Sequence, residues 1–364
     1  MTQIITQYKS TLIISLLCLF SGFGLMASAS PEGEAYDPVP TIMHHLKDAH
    51  DWHLFDLKGD DGENHAVSIP LPVILYSAEA GFDVFMSSAF HHDEDGKVLA
   101  QGKYLNHHGK IYLANPQGKL NLEEAEDGHM HALNAKPFDF SITKNVVAMF
   151  ISILLLVLIF RAVAVSYKKG EAPKGLAGFL EPLILFVRDD IAYSNINRKK
   201  ADKFLPYLLT VFFFIWINNL LGLVPFFPGG ANLTGNIAFT FTLAFFTLIV
   251  TNINGNSAYW KHLFMPPVPP ALWVIMIPIE LIGILIKPFA LMIRLFANIT
   301  AGHALMLSLV SIIFVMKSAG MAGLSIPFML FMNILELLVA ALQAYIFTLL
   351  SALFIGMAVE EAHH

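Results

Sequence analysis

The chain has 364 residues, 55% of them hydrophobic and 14% charged, whereas an ordinary soluble domain carries roughly 25% charged residues. Its formal net charge is −6, and no basic patch argues for nucleic acid as a partner. The single cysteine, Cys18, excludes a disulfide framework, and no glycine-rich phosphate loop ending in Lys-Ser/Thr is present, which leaves no ATP site and no cofactor motif.

At the start, Lys9 precedes an apolar stretch over residues 12–26 and then Ala27-Ser28-Ala29. This pattern predicts a signal peptide, residues 1–29, cleaved after Ala29, with an uncleaved first span as the alternative. After cleavage no cysteine remains, so no thiol chemistry can take part.

Residues 30–143 form an acidic, histidine-rich segment. Over residues 30–140 there are nineteen Asp/Glu against seven Lys/Arg, and eleven of the fifteen histidines. Such a stretch belongs in water. Alternation at Gly81-Phe-Asp-Val-Phe and Lys110-Ile-Tyr-Leu, with turn signals at Asp95-Gly96 and His107-His108-Gly109, predicts a small β-containing extramembrane segment or a decorated loop. The pairs His44-His45, His91-His92, His107-His108 and His129/His131 could ligate a transition metal or buffer protons, but they match no defined metal spacing, and the simpler reading is a solvated acidic domain.

Residues 144–360 read as a membrane domain of about five transmembrane helices, followed by a short tail at 361–364. The first convincing span covers residues 146–165. A polar stretch then runs to Lys203, with eight basic and five acidic residues from Lys168 onward, and the positive-inside rule assigns it to the cytoplasm. Within it, the region around 172–200 holds Leu180, Leu183, Leu185 and Ile191 among charges, suggesting either an amphipathic helix on the membrane or a surface loop. Further spans follow at residues 204–224 and 237–253. Two apolar segments, 272–316 and 326–357, each exceed the roughly 20 residues of a perpendicular helix and must tilt, bend or project.

From residue 204 to 359 only Lys261, Glu280, Lys287, Arg294, Lys317 and Glu336 are charged. Arg294 lies deep in an apolar run, where a charge costs roughly 2.5–3.5 kcal/mol on insertion scales. Glu280, Lys287, Arg294 and Asn298 fall within about 40° of one helical stripe. A polar stripe on a membrane helix faces water or a partner, although a structural ion pair or a snorkelling arginine is the simpler alternative. His303 falls on roughly the opposite face, and Asn333, Glu336 and Gln343 make a second polar stripe on the last helix. A histidine and a glutamate on adjacent membrane helices suit a proton relay, or else hydrogen-bonded packing.

Lys287-Pro288, Arg294-Leu-Phe-Ala-Asn298-Ile-Thr-Ala-Gly302 and Leu342-Gln343-Ala344-Tyr345-Ile346-Phe347 closely resemble subunit a of F-type ATP synthases. The resemblance extends upstream through Phe160-Arg161, Pro206 and Asn219-Leu-Leu-Gly-Leu-Val-Pro225, covering about residues 140–360. It implies an all-α polytopic fold with two long tilted helices laid against a rotating ring of c subunits. The implied role is a non-catalytic stator subunit whose two half-channels load and unload protons on ring carboxylates. The partners it implies are the c ring, b subunits with other stator components, the lipid membrane and protons. The implied location is a bacterial inner membrane, with the acidic segment periplasmic and the C-terminus cytoplasmic.

By the same resemblance, Arg294 is the arginine that faces the ring carboxylate and Gln343 the glutamine opposite it. Asn298 and Asn219 lie near the path, Glu280 belongs to the cytoplasmic-side half-channel, and His303 with Glu336 to the outer one. Many bacterial members carry Glu at the first of those two positions and His at the second; here they are exchanged, as in mitochondrial members. The exchange keeps one acid and one imidazole and leaves their separate roles open. A proton-coupled secondary transporter would also hold ionisable groups at mid-membrane, but the inverted repeats common in such folds are not detectable.

Overall fold

The structure is a computed structural model that describes residues 47–58, 64–79, 81–93, 95–124, 130–168, 174–224, 229–266, 268–316 and 319–360. The expected signal peptide, His44, His45, His129, Lys317 and residues 361–364 lie outside these. The described residues belong to two compact units: Met1–Met149, Val224–Ala231 and Phe314–Ser318 in one, and Phe150–Leu223, Asn232–Ile313 and Ala319–His364 in the other.

Among the described residues the first unit has nine strands. β1 (Asp51–Lys58) pairs with β2 (Asn64–Pro70). β3 (Pro72–Ser77) lies between β4 (Gly81–Met86) and the two-residue β9 (Phe138–Asp139). β5 (Tyr104–His107) with β6 (Lys110–Leu113), and β7 (Leu122–Glu124) with β8 (Met130–Ala132), form two further hairpins. All pairings are antiparallel. The expected turn at His108-Gly109 forms with φ of 50° and 77°, the pair of positive angles a two-residue hairpin needs. Alternation along β3 turns Val73 and Leu75 inward onto Phe85, Phe90, Ala100, Tyr104 and Ile111.

Tyr104 is fully buried and donates its hydroxyl to Asp83 Oδ2 at 2.8 Å. Burial first, and then this bond, push its phenol from 10.0 up to about 12. A group whose folded value is raised contributes stability that is complete below its unfolded value and lost as pH rises through the folded one. We therefore expect the near-ultraviolet dichroism of this unit to collapse between pH 10 and about 12, with Tyr104→Phe removing that phase of the loss.

Helix α1 (Lys144–Lys168) begins in the first unit. Its leading N–H groups, which have no intrahelical acceptor, are met by residues ahead of β1: Lys144 donates to Ala49 O at 2.9 Å and Asn145 to Asp48 Oδ1 at 3.1 Å. Trp52 packs on Ala148 and Ala231 beside them.

The second unit holds the rest of α1 and six more helices. α2 (Leu176–Phe186) passes into a π-helical turn (Val187–Ala192) and a last turn (Tyr193–Asn195). It buries Leu180 and Ile191 and exposes Leu176, Phe179 and Asp189, so the predicted amphipathic segment is helical rather than a loop. α3 (Arg198–Leu223) starts earlier than the apolar run because Asn197 Oδ1 accepts from Lys199 N at 3.1 Å, and the Arg-Lys-Lys turn is good helix-forming sequence. α4 (Ile237–Ile253) has the expected bounds, with Asn236 Oδ1 capping Ala238 N at 2.9 Å. It is followed by α5 (Ser257–Phe264), bent away by 102°.

α6 (Trp273–Met316) and α7 (Ala319–Val359) are single helices of 44 and 41 residues. At 1.5 Å per residue each is about 60 Å or more long, close to twice the hydrocarbon thickness. Prolines 278, 288 and 327 do not break them. Among the described residues four helices are long and apolar enough to cross a membrane, and α4 with α5 makes a fifth if taken as one broken span. α3 and α7 form the centre, with Phe204, Leu208, Phe212 and Ile215 against Ala344, Phe347, Ala352 and Ile355. α6 adds Leu291, Met292, Leu295 and Ile299 to the same buried cluster.

Candidate functional site

The four core residues of α6 lie to one side of the helix, and Arg294 points elsewhere. Its side chain is exposed, as is that of Asn298 one turn on, while Glu280 and Lys287 are half-buried. Among the described residues no acceptor lies within hydrogen-bonding or ion-pairing distance of Arg294. Ala290, Ala297 and Ala301, all exposed, sit four residues before it, three after and seven after, so the surface around the guanidinium is shallow. Sequence reasoning missed this collar, whose signal was the small residues at helical spacing in a span otherwise rich in Leu and Ile.

The opposite side of α6 carries the second group. His303 Nδ1 lies 3.5 Å from Glu336 Oε1, with the two side chains only 17% and 6% exposed. Both Glu336 oxygens are buried without a hydrogen-bond partner among the described residues. Burying a carboxyl without donors is costly unless it is protonated, paired or supplied with water. Gly302 makes the approach possible: a Cβ there would meet Glu336 Oε1 at 3.0 Å. Nothing in the local pattern marked Gly302, because the demand on it comes from the neighbouring helix.

On α7, Gln343 and Asn333 are buried in the same stripe as Glu336. Gln343 and the exposed Arg294 are not hydrogen-bonded to each other. Asn219 on α3 donates Nδ2 to Ala340 O at 3.0 Å, while its Oδ1 is buried without a partner among the described residues.

Lys287 does not pair with Glu280; its Nζ lies over the Phe354 ring, 5.6 Å from the centroid. It borders a cleft between α4, α5, α6 and α7 whose polar lining includes Thr247, Thr251, Asn252 and Tyr259. Tyr259 donates to Asn252 Oδ1 at 3.0 Å, and Thr251 Oγ1 is buried without a partner among the described residues. Among the described residues no three His, Cys, Asp or Glu side chains converge as metal ligands.

The pair His303/Glu336 and the cleft beside Lys287 are thus two polar regions along α6 and α7, with the exposed Arg294 between them in sequence. Residues 146–356 match the family model described as ATP synthase A chain. The chain belongs to the ATP synthase A chain family. Residues 41–140 match a second family model, described as a domain of unknown function (DUF8433). An ATP synthase subunit a from Chloroherpeton thalassium is 48% identical over 65% of this chain and 72% of that protein. One from Chlorobaculum tepidum, subunit a 2, is 51% identical over 66% and 69%. Another subunit a 2, from Prosthecochloris aestuarii, is 44% identical over 80% and 90%. As a subunit a the chain is a multi-pass membrane protein, the proton-translocating stator subunit of the F0 sector and not its catalytic component.

Proposed function

We propose that Arg294 faces the carboxylate of each passing c-ring subunit, and that Glu280 and the pair His303/Glu336 serve two half-channels on either side of it. The observation that carries this is the exposed guanidinium in an apolar helix, without a partner among the described residues: a cation so placed calls for a counter-charge, and a carboxylate on a neighbouring chain would supply it. Asn298, Gln343 and Asn219 extend the polar lining.

A proton from the outer side reaches His303/Glu336 and passes to a ring carboxylate, which can then travel through lipid as a neutral group. After the ring turns, the carboxyl meets the cleft beside Lys287, with Glu280 seven residues before it on α6, and loses its proton. Arg294 favours the ionised carboxylate there, and its guanidinium cannot release a proton of its own, so the half-channels do not short-circuit. Each charge that crosses gains about 2.3 kcal/mol per 100 mV, so several must pass for one phosphorylation elsewhere in the complex.

The partners are then the c ring, the b subunits with other stator components, and the lipid of a bacterial inner membrane. The basic residues from Lys168 to Lys203 favour a cytoplasmic side for α2, and with it a periplasmic acidic segment and a cytoplasmic C-terminus. The apolar stretch at 12–26 followed by Ala27-Ser28-Ala29 supports export of that segment behind a cleaved signal peptide.

Cross-linking tests the assignment. In a Cys18→Ser background, Ala297→Cys should form a disulfide, under mild oxidation of the assembled complex, with a cysteine placed beside the ring carboxylate. A cross-link to non-ring subunits only, or to none, would overturn it.

A further inference from the structure

The sheet β4-β3-β9 alternates in the wrong sense for a face in water. Its outward residues are Tyr76 on β3, Phe82, Val84 and Met86 on β4, and Phe138 with Phe140 on β9 and just beyond. Phe82 and Phe138 are 66% and 69% exposed. Tyr76 is registered between them, opposite Phe82 on one side and Phe138 on the other, and its ring stacks on Phe138 at 6.4 Å. The acidic residues of the same strands point the other way. Asp83 is held by Tyr104 and by Lys103 at 3.0 Å, and Asp139 by His50 at 2.8 Å. Charges are thus turned inward and satisfied, while a charge-free aromatic row is left outside.

We infer that this face rests in the interfacial layer of the bilayer and is covered by zwitterionic phospholipid. Three observations select lipid. Backbone pairing of the last strand continues past Phe140 to Ile142, which donates to Pro72 O at 3.0 Å, two residues before α1 enters the membrane. From Phe140 to Lys144 the chain extends at most roughly 14 Å, so the row cannot lie far from the headgroups. Exposed Phe, Tyr and Met without charge match what amphipathic surfaces place at that depth. The nineteen acidic residues against seven basic ones over residues 30–140 would be repelled by an anionic surface, which selects neutral headgroups and predicts contact insensitive to salt. The inference rests on insertion of α1 and not on the assignment of the proton path.

The test uses the assembled complex, with Cys18→Ser, reconstituted in phosphatidylcholine vesicles. A nitroxide is placed at Phe82→Cys, at Phe138→Cys as a second reporter, and at the exposed Lys97→Cys as a water reference. Collisions with oxygen and with a water-soluble nickel chelate are compared. The oxygen-to-nickel ratio should be several-fold higher at 82 and 138 than at 97, and unchanged on raising salt. A ratio equal to that at 97 would place the face in water, and shielding from both reagents would place it against protein; either overturns the inference. ATP-driven acidification of the same vesicles is read separately, so a fault in the proton-path assignment cannot imitate either result.

Discussion

Arg294→Ala should abolish ATP-driven acidification of vesicles carrying the assembled complex while leaving the subunit folded and in place. Both halves of this expectation follow from the exposure of the side chain and its lack of a partner among the described residues. Removing a residue that holds nothing inside the fold costs the fold little, and it relieves a charge that insertion scales put at roughly 2.5–3.5 kcal/mol unfavourable. If Arg294 is the counter-charge of the ring carboxylate, its loss removes both the reason for the carboxyl to ionise at the exit and the barrier between half-channels. Arg294→Lys should fail as well, because a lysine is a point charge that can be deprotonated in such surroundings. Acidification at wild-type coupling in Arg294→Ala would sink the assignment; loss of acidification together with loss of the subunit from the membrane would mean the residue is structural.

Gly356→Ala is expected to be as damaging by another route. A Cβ at this position would stand 2.0 Å from the Asn195 carbonyl oxygen and 3.1 Å from its carbon. The obstacle is backbone, so no rotamer change relieves it, and α7 must move off the turn that ends α2. The same end of α7 is tied by Lys200 Nζ to Val359 O at 2.9 Å and by Asn256 N to Ala358 O at 2.9 Å. Overpacking a well-filled core typically costs about 1–3 kcal/mol and occasionally more, and these bonds would be strained with it. The expected outcome is a subunit degraded or missing from isolated membranes, read by immunoblot. Gly323→Ala, where a Cβ meets nothing within 4 Å, should accumulate normally.

Those two glycines illustrate which parts of the structure the sequence made legible. Helices were readable because a membrane span is a local property. α4 has its expected bounds, and each long apolar run became a single helix: the run at 272–316 forms α6 almost to the residue, and the run at 326–357 extends in α7 through the small and apolar residues 319–325 and 358–359. The turn at His108-Gly109 was readable because two positive φ angles demand particular residues. The pairing of β3 with β9, Leu75 opposite Asp139, was not, since register between distant strands leaves no local trace.

At the candidate site, helical phase correctly separated Arg294 from His303 and put Glu336 and Gln343 on one stripe. It could not show that Glu336 meets His303 across the gap made by Gly302, that Lys287 turns to Phe354 and not to Glu280, or that three alanines leave the arginine proud of its surroundings. Each of those depends on what the next helix does.

The short stripe that fastens α6, Leu291 to Ile299, spans Arg294 and faces away from it. In the most apolar stretch of α6, 11% of the residues are buried within the chain, against 44% for α7. If the ring turns against α6 as proposed, a sideways push would meet buried apolar backing at the height of Arg294, where Leu291 to Ile299 join the cluster of α3 and α7. On that placement the guanidinium would ride on the stretch of α6 that is held to the core.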